Sequence, residues 1–283
     1  MVAPHFVMTW PSAFEVTYAI NPWMDPKRWH QNADELRGSA ALCWQKLNDR
    51  LRAAGARVHM LDPVPGLPDL VFPANGAVVL DSRALLGRFA NPERQREEPV
   101  FLRFFEGLLH QGVVKELGRL PENLIQEGAG DCLWDACRGI FWAGHGPRSS
   151  SGSAAVVADF FSCEVQPLGL VDPRFYHLDL AFCVLEGGEI LYCPAAFDPV
   201  SLGLIRERVP LDRRLEMGVD EALRFSLNAL CFNGAVFTTS PGPDLAARLR
   251  ERGYRLCDLD LSPFLLAGGG AASLTLRLDH CMG

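Results

Sequence analysis

The chain lacks any stretch approaching the roughly 18 uninterrupted apolar residues of a membrane-spanning helix, which argues against an integral helical membrane protein. Its opening, MVAPHFVMTW, lacks the basic-then-apolar order of a signal peptide, so a cytoplasmic protein is expected. Basic runs and aromatic-basic stripes are missing too. With 27 Lys+Arg against 34 Asp+Glu, a net charge of −7 makes a nucleic-acid surface a poor expectation. Nine cysteines, an odd number scattered from Cys43 to Cys281 and mostly inside apolar runs such as LAFCVL and NALCF, read as reduced, buried thiols and not as a disulfide framework. The closest pair, Cys132 and Cys137, has the wrong gap for a zinc knuckle, so no metal is expected. A Pro- or Ser-rich linker is also wanting, apart from PRSSSGS at 147–153, which is short enough for a loop with a helix N-cap. Residues 1–283 therefore read as one domain, and 48% apolar content suffices for a substantial core.

What is present is alternation. Leu36, Ala40, Cys43, Trp44, Leu47 and Leu51 recur at helical spacing, Gly55 sits where that helix would end, and a strand-like ARVHML follows. Phe101, Phe104, Phe105, Leu108 and Leu109 predict a second amphipathic helix closed by Gly112. Leu245, Ala246 and Leu249 predict another closed by Gly253, with strand-like YRLCDLDL behind it. LAFCVL and EILYCP flank Gly187-Gly188 as a hairpin. Helices and strands alternating along the whole length mean an α/β fold. Five polar residues, Asn75, Asp131, His177, Asn228 and Ser273, are spaced almost evenly, as a repeat architecture would place them.

Three segments could carry chemistry. In His177-Leu178-Asp179, read as a strand, residues two apart project to one face and bring a base beside a carboxylate; a solvated edge is the plainer reading. Glu127-Gly128-Ala129-Gly130-Asp131 is a glycine-rich turn with two acids next to apolar CLW, and such acids need donors from the protein or from a cationic ligand. Gly268-Gly269-Gly270 opens a run whose alternation puts Ser273, Thr275 and Arg277 on one face of a strand; by itself a glycine triplet also reads as an ordinary turn into a strand. Arg94, inside the charge run ERQREE, reads by itself as a surface arginine.

Taken together and in order, VTYAINPWMD, PDLVFPANGAVVLD, FANPERQREEPVF, EGAGD, GHGPRSS, FYHLDLAF and the terminal GGG strand resemble the guanidine-modifying (amidinotransferase, or pentein) superfamily. The opening Asn-Pro-Trp-Met and the Phe-Pro-Ala-Asn segment are most similar to its bacterial arginine dihydrolase and dimethylarginine dimethylaminohydrolase-like branch. The resemblance implies a five-bladed α/β propeller of ββαβ units with pseudo-fivefold symmetry. It implies hydrolysis of L-arginine at the guanidinium carbon through a covalent amidino intermediate, to ornithine, CO2 and ammonia or to citrulline and ammonia, with no cofactor, since thiolate, imidazole and carboxylates suffice for that chemistry. His177 matches the general acid/base and Glu127 its charge partner. Asp179 and Asn75 match the guanidinium contacts and Arg94 and Arg148 the α-carboxylate contacts, with Asn21 and Asp131 in the substrate-binding set. The expected partner is a small molecule, arginine or a related guanidine, with a homodimer allowed. One position departs: the family's nucleophilic cysteine falls on Ser273, a far poorer nucleophile. Two explanations are an introduced Cys→Ser replacement, which is favoured because every other station survives, and natural loss of the nucleophile. Cys281, eight residues on, is not expected to substitute. The alternatives are a non-catalytic guanidine-binding protein and a dimethylarginine dimethylaminohydrolase. Asn75 stands where deiminases and methylarginine hydrolases place aspartate, and the resemblance links it to dihydrolase activity.

Overall fold

A computed structural model describes residues 3–282. Fifteen short strands build five three-stranded sheets, all with the same pattern. In chain order the strands are β1 His5–Thr9, β2 Arg57–Leu61, β3 Ala77–Leu80, β4 Arg83–Leu86, β5 Glu116–Arg119, β6 Cys132–Asp135, β7 Ile140–His145 and β8 Glu164–Gly169. They continue as β9 Phe182–Val184, β10 Ile190–Tyr192, β11 Arg214–Glu216, β12 Leu230–Phe232, β13 Ala235–Thr238, β14 Arg255–Asp258 and β15 Leu276–Arg277. Four sheets are consecutive: a hairpin (β3/β4, β6/β7, β9/β10, β12/β13) followed by a parallel third strand. The fifth joins the ends of the chain, with β15 antiparallel and β2 parallel to β1.

Each parallel pair needs a crossover, and a helix supplies it: Ala33–Ala53, Glu98–His110, Ser153–Phe161, Pro199–Arg208 and Pro243–Glu251. The first, second and fifth are the helices expected from apolar spacing, and Gly55, Gly112 and Gly253, all with positive φ, follow their ends. The hairpins turn where the backbone can take positive φ, at Asp81-Ser82, Gly139, Gly188 and Asn233-Gly234. The hairpin across Gly187-Gly188 forms as expected, pairing Ile190 with Val184 and Tyr192 with Phe182. Second strands are almost wholly buried, whereas third strands such as β5 and β14 are exposed at both ends and half-buried between, as sheet edges are.

Three local expectations change. His177 is extended, but Leu178–Leu180 form a single 3-10 turn and not a strand, because Asp131 Oδ1 accepts the Leu178 N–H and turns the backbone inward. The terminal run is a strand only at Leu276–Arg277; Ser273 lies in the preceding turn, where Leu274 N–H bonds Gly270 O. Ser273 consequently does not share a face with Thr275 and Arg277, which line a different cavity. In 147–153 no side chain caps the following helix, and Ser149 and Ser150 instead bond the backbone of Glu127 and Ile125. The cysteines are free, but Cys137 and Cys281 are exposed and not buried. Among the described residues no helix is long and apolar enough to cross a membrane.

Candidate active site

The five evenly spaced polar residues each fall just ahead of the first strand of a sheet, and all five are buried. The shared position is what gathers them. His177 Nδ1 lies 3.0 Å from Asp131 Oδ2, and His177 Nε2 lies 3.4 Å from Asn75 Nδ2. Asn228 Nδ2 donates to Ser273 Oγ at 3.0 Å and to the carbonyl of Asp179 at 3.3 Å. A narrow cleft opens onto this cluster, lined among others by Asp69, Asn75, Arg94, Arg148, His177 and Ser273.

The first half of the cluster is fully paired. Glu127, with no exposed surface, accepts from the Ala90 backbone N–H at 3.0 Å and from Arg148 Nη1 at 3.0 Å, and lies 3.2 Å from His177 Nε2. Burial alone would raise its pKa; the His177 hydrogen bond and the Arg148 charge win and hold it down at about 2. His177 shows the same contest with opposite sign. Burial disfavours the imidazolium, but Asp131 and Glu127 on its two nitrogens push the pKa up to about 9. Ser149 completes this half by donating to Asp131 Oδ2 at 2.6 Å. Gly130 is required here because a Cβ would collide with the Asn75 amide.

Arg94 is not a surface arginine: it is 4% exposed. The one-turn helix Pro92–Gln95 and the following turn aim it inward, where Glu97 accepts from Nε at 3.1 Å and from Nη2 at 2.8 Å. Its Nη1 donates to Asn75 Oδ1 at 2.8 Å, its Nη2 to the Asp69 carbonyl, and the guanidinium lies over the Phe89 ring. Arg148 donates to Glu127 and to the Ile20 carbonyl and lies over the Tyr176 ring. Asn21 also lines the cleft, with its amide spent on the Ala267 carbonyl and the Trp23 N–H.

The second half is short of donors. Asp179 Oδ2 accepts from Ser273 Oγ at 3.2 Å, but Oδ1 is buried with no partner, and burial raises the pKa to about 7 against the pull of His177. Asp69 is in the same condition: Tyr18 donates to Oδ2 at 3.1 Å, Oδ1 has no partner, and burial again raises the pKa. Two incompletely paired carboxylates in one buried cluster call for a ligand with cationic groups at two points. Asp69, Glu97, Ser149 and Asn228 were not singled out from the sequence as binding or catalytic residues. Asp69 stands two residues after Leu67 in GLPDLVF and reads as a solvated turn; nothing local marks its burial. Among the described residues no group of three or more His, Cys, Asp or Glu could hold a metal ion. Cys281 lines a separate surface depression with Cys137 and Glu186, away from Ser273.

Comparison with known proteins identifies the family. The family described as N,N dimethylarginine dimethylhydrolase, eukaryotic, matches residues 11–193. The N(G),N(G)-dimethylarginine dimethylaminohydrolase of Mycobacterium tuberculosis is 33% identical over 96% of the chain and 85% of its own length. The chain belongs to this dimethylarginine dimethylaminohydrolase-like family of guanidine hydrolases, in the branch that also holds the arginine dihydrolases. The bifunctional arginine dihydrolase/ornithine cyclodeaminase ArgZ of a Synechocystis species is 39% identical over 95% of the chain. The chain spans only 37% of that relative's length. The N-terminal domain of ArgZ, as a cysteine-to-serine mutant bound to substrate, superposes with a TM-score of 0.89 at 36% identity, covering 99% of this chain and 100% of that one.

Proposed function

We propose that the chain is a single guanidine-modifying domain, a five-bladed α/β propeller, whose cleft binds free L-arginine, and that hydrolysis at the guanidinium carbon requires cysteine in place of Ser273. The observation that carries the reading is the pair of unpartnered carboxylate oxygens, Asp69 Oδ1 and Asp179 Oδ1. Arginine has two cationic groups, an α-ammonium and a guanidinium, at the two ends of a flexible chain. Asp179 takes guanidinium N–H groups beside position 273, and Asn75 Oδ1 offers its second lone pair. Asp69 takes the α-ammonium, while Arg94 and Arg148 in the same cleft take the α-carboxylate. The propeller is supported by five sheets of one strand order and by polar residues that meet from all five.

With a thiolate at position 273, attack forms a carbon–sulfur bond, and the breaking carbon–nitrogen bond sends its electron pair to a nitrogen that leaves as ammonia. His177, held protonated between Asp131 and Glu127, supplies the proton and then takes one from the water that attacks the amidino intermediate. Cleavage of the carbon–sulfur bond releases citrulline and restores the thiolate. In a second passage the thiolate attacks the ureido carbon and a carbon–nitrogen bond breaks to release another ammonia, a second water displaces the thiolate from the resulting thiocarbamate, and the carbamate so formed breaks its last carbon–nitrogen bond to give ornithine and CO2. Asn75 favours this second passage because a neutral amide tolerates the uncharged ureido group. Ser273 cannot start the sequence: its hydroxyl faces Asp179 and Asn228, and no imidazole nitrogen is bonded to it to remove the proton. Binding without turnover is expected of the serine form, in line with the serine mutant of ArgZ that is bound to substrate.

The test is amino-acid analysis of timed reactions of the Ser273→Cys protein with L-arginine. Ornithine with ammonia supports the dihydrolase; citrulline that never proceeds to ornithine places the chain with the deiminases. An inert, folded Ser273→Cys protein that still binds arginine makes it a guanidine-binding protein. Dimethylarginine turned over in preference to arginine makes it a dimethylaminohydrolase. In the Ser273→Cys background, Asn75→Asp should accumulate citrulline, and an unchanged product ratio would refute the charge argument for Asn75.

A further inference from the structure

Asn228 is fully buried and lies ahead of β12, where its side chain meets Ser273 and the Asp179 backbone. Its amide cannot rotate freely. Oδ1 accepts the backbone N–H of Gly270 at 3.0 Å and that of Ser273 at 3.2 Å, so Nδ2 must face the other way. There it donates to the Asp179 carbonyl at 3.3 Å and to Ser273 Oγ at 3.0 Å; the serine hydroxyl also reaches Oδ1 at 3.3 Å, a bond that an anion, having no proton to donate, would not make. The Asn228 carbonyl in turn accepts from the Ala272 N–H. One side chain thus ties down the glycine turn at two points and points an N–H at the side chain the turn presents. Gly270 fits because a Cβ there would press on this amide.

We infer that Asn228 orients the attacking atom at position 273 and, by donating a hydrogen bond to it, stabilises its anionic form. The chemistry requires this of some group. Asp179, on the other side of the same atom, opposes ionisation by like charge, and His177 makes no hydrogen bond to it. A fixed donor to the anionic form counteracts that repulsion until the guanidinium arrives to neutralise Asp179. The inference rests on position 273 being the attacking position, and it concerns ionisation in the absence of substrate.

The test uses the Ser273→Cys protein and follows the pH dependence of iodoacetamide alkylation at position 273 by mass spectrometry of its peptide, with the exposed Cys137 and Cys281 as internal standards. Asn228→Asp keeps an acceptor for the two backbone N–H groups and replaces the donor by a carboxylate. It should raise the thiol pKa by about one unit or more, a roughly tenfold loss of thiolate below the pKa. Asn228→Ala removes the donor without adding charge and should raise the pKa by a smaller amount. If turnover is present, kcat should fall about tenfold with little change in KM, and the acidic limb of the pH–rate profile should move up. A thiol pKa at position 273 unchanged in either folded variant, with melting temperature as the check on folding, overturns the inference. Absence of arginine hydrolysis in the parent bears on the proposed function and leaves the alkylation result to decide this one.

Discussion

Glu127 and Asp179 are both buried carboxylates within reach of His177, yet one is held at a pKa of about 2 and the other is raised to about 7. Both suffer desolvation. Glu127 has Arg148, His177 and the Ala90 N–H to offset it, whereas Asp179 has the Ser273 hydroxyl on one oxygen and nothing on the other. The difference separates scaffold from receptor. The half built around Glu127 is complete by itself and fixes the imidazole; the half around Asp179 is left short of positive charge that a ligand can supply.

The largest effect expected comes from completing the receptor half chemically. Ser273→Cys should raise ammonia release from arginine on the order of a thousandfold or more over the serine protein. A ratio near one in folded proteins would mean that Asp179 faces a binding site without chemistry.

Removing each carboxylate should divide the two halves by opposite outcomes. Glu127→Gln leaves Arg148 and protonated His177 without their counter-charge and should cost about 3–5 kcal/mol of stability in urea unfolding. Asp179→Asn removes a poorly satisfied charge, so stability should change by less than about 1 kcal/mol or rise. Arginine affinity measured by calorimetry should nevertheless fall on the order of a hundredfold. Equal destabilisation by both would erase the distinction.

The two carboxylates should also titrate in opposite senses. Glu127, with a folded pKa below its ordinary 4.5, contributes stability that is present above that value and lost as pH falls toward about 2. His177, raised from 6.5, contributes stability that is full below 6.5 and lost as pH rises through about 9. Asp179, raised from 3.8, makes the unliganded protein less stable as pH rises from 3.8 through about 7. Arginine requires the ionised carboxylate, so its affinity should climb by up to about tenfold per pH unit below pH 7 and level off above it. Calorimetry in buffers of different ionisation enthalpy should show proton release on binding at pH 6 and little at pH 8. No release at pH 6 would place the cation elsewhere.

Asp69→Asn should have the smallest effect: arginine affinity about tenfold weaker, with the analogue lacking the α-amino group unchanged. Equal losses for both ligands would assign Asp69 to the fold and not to the ligand.

The alternation of helices and strands, the glycines that end helices, and the Gly187-Gly188 hairpin were legible because they are set by neighbours a few residues apart. So was the even spacing of Asn75, Asp131, His177, Asn228 and Ser273, and their common place ahead of a first strand is why they meet. Arg94 was legible only through resemblance, because within ERQREE nothing distinguishes a buried guanidinium from a solvated one; the Asp69 carbonyl and the Asn75 amide, 25 and 19 positions away, draw it inward together with its neighbour Glu97. The 3-10 turn after His177 escaped because its cause is remote: Asp131, which accepts the Leu178 N–H, lies forty-seven positions before Leu178. The sequence by itself determined the α/β class, the even spacing of five polar residues and the residue types available for guanidine chemistry. Only the tertiary structure decided which carboxylates are neutralised by the protein and which are left for a ligand, because a charge inside a protein is governed by what lies within a few ångströms of it, and those neighbours come from distant parts of the chain.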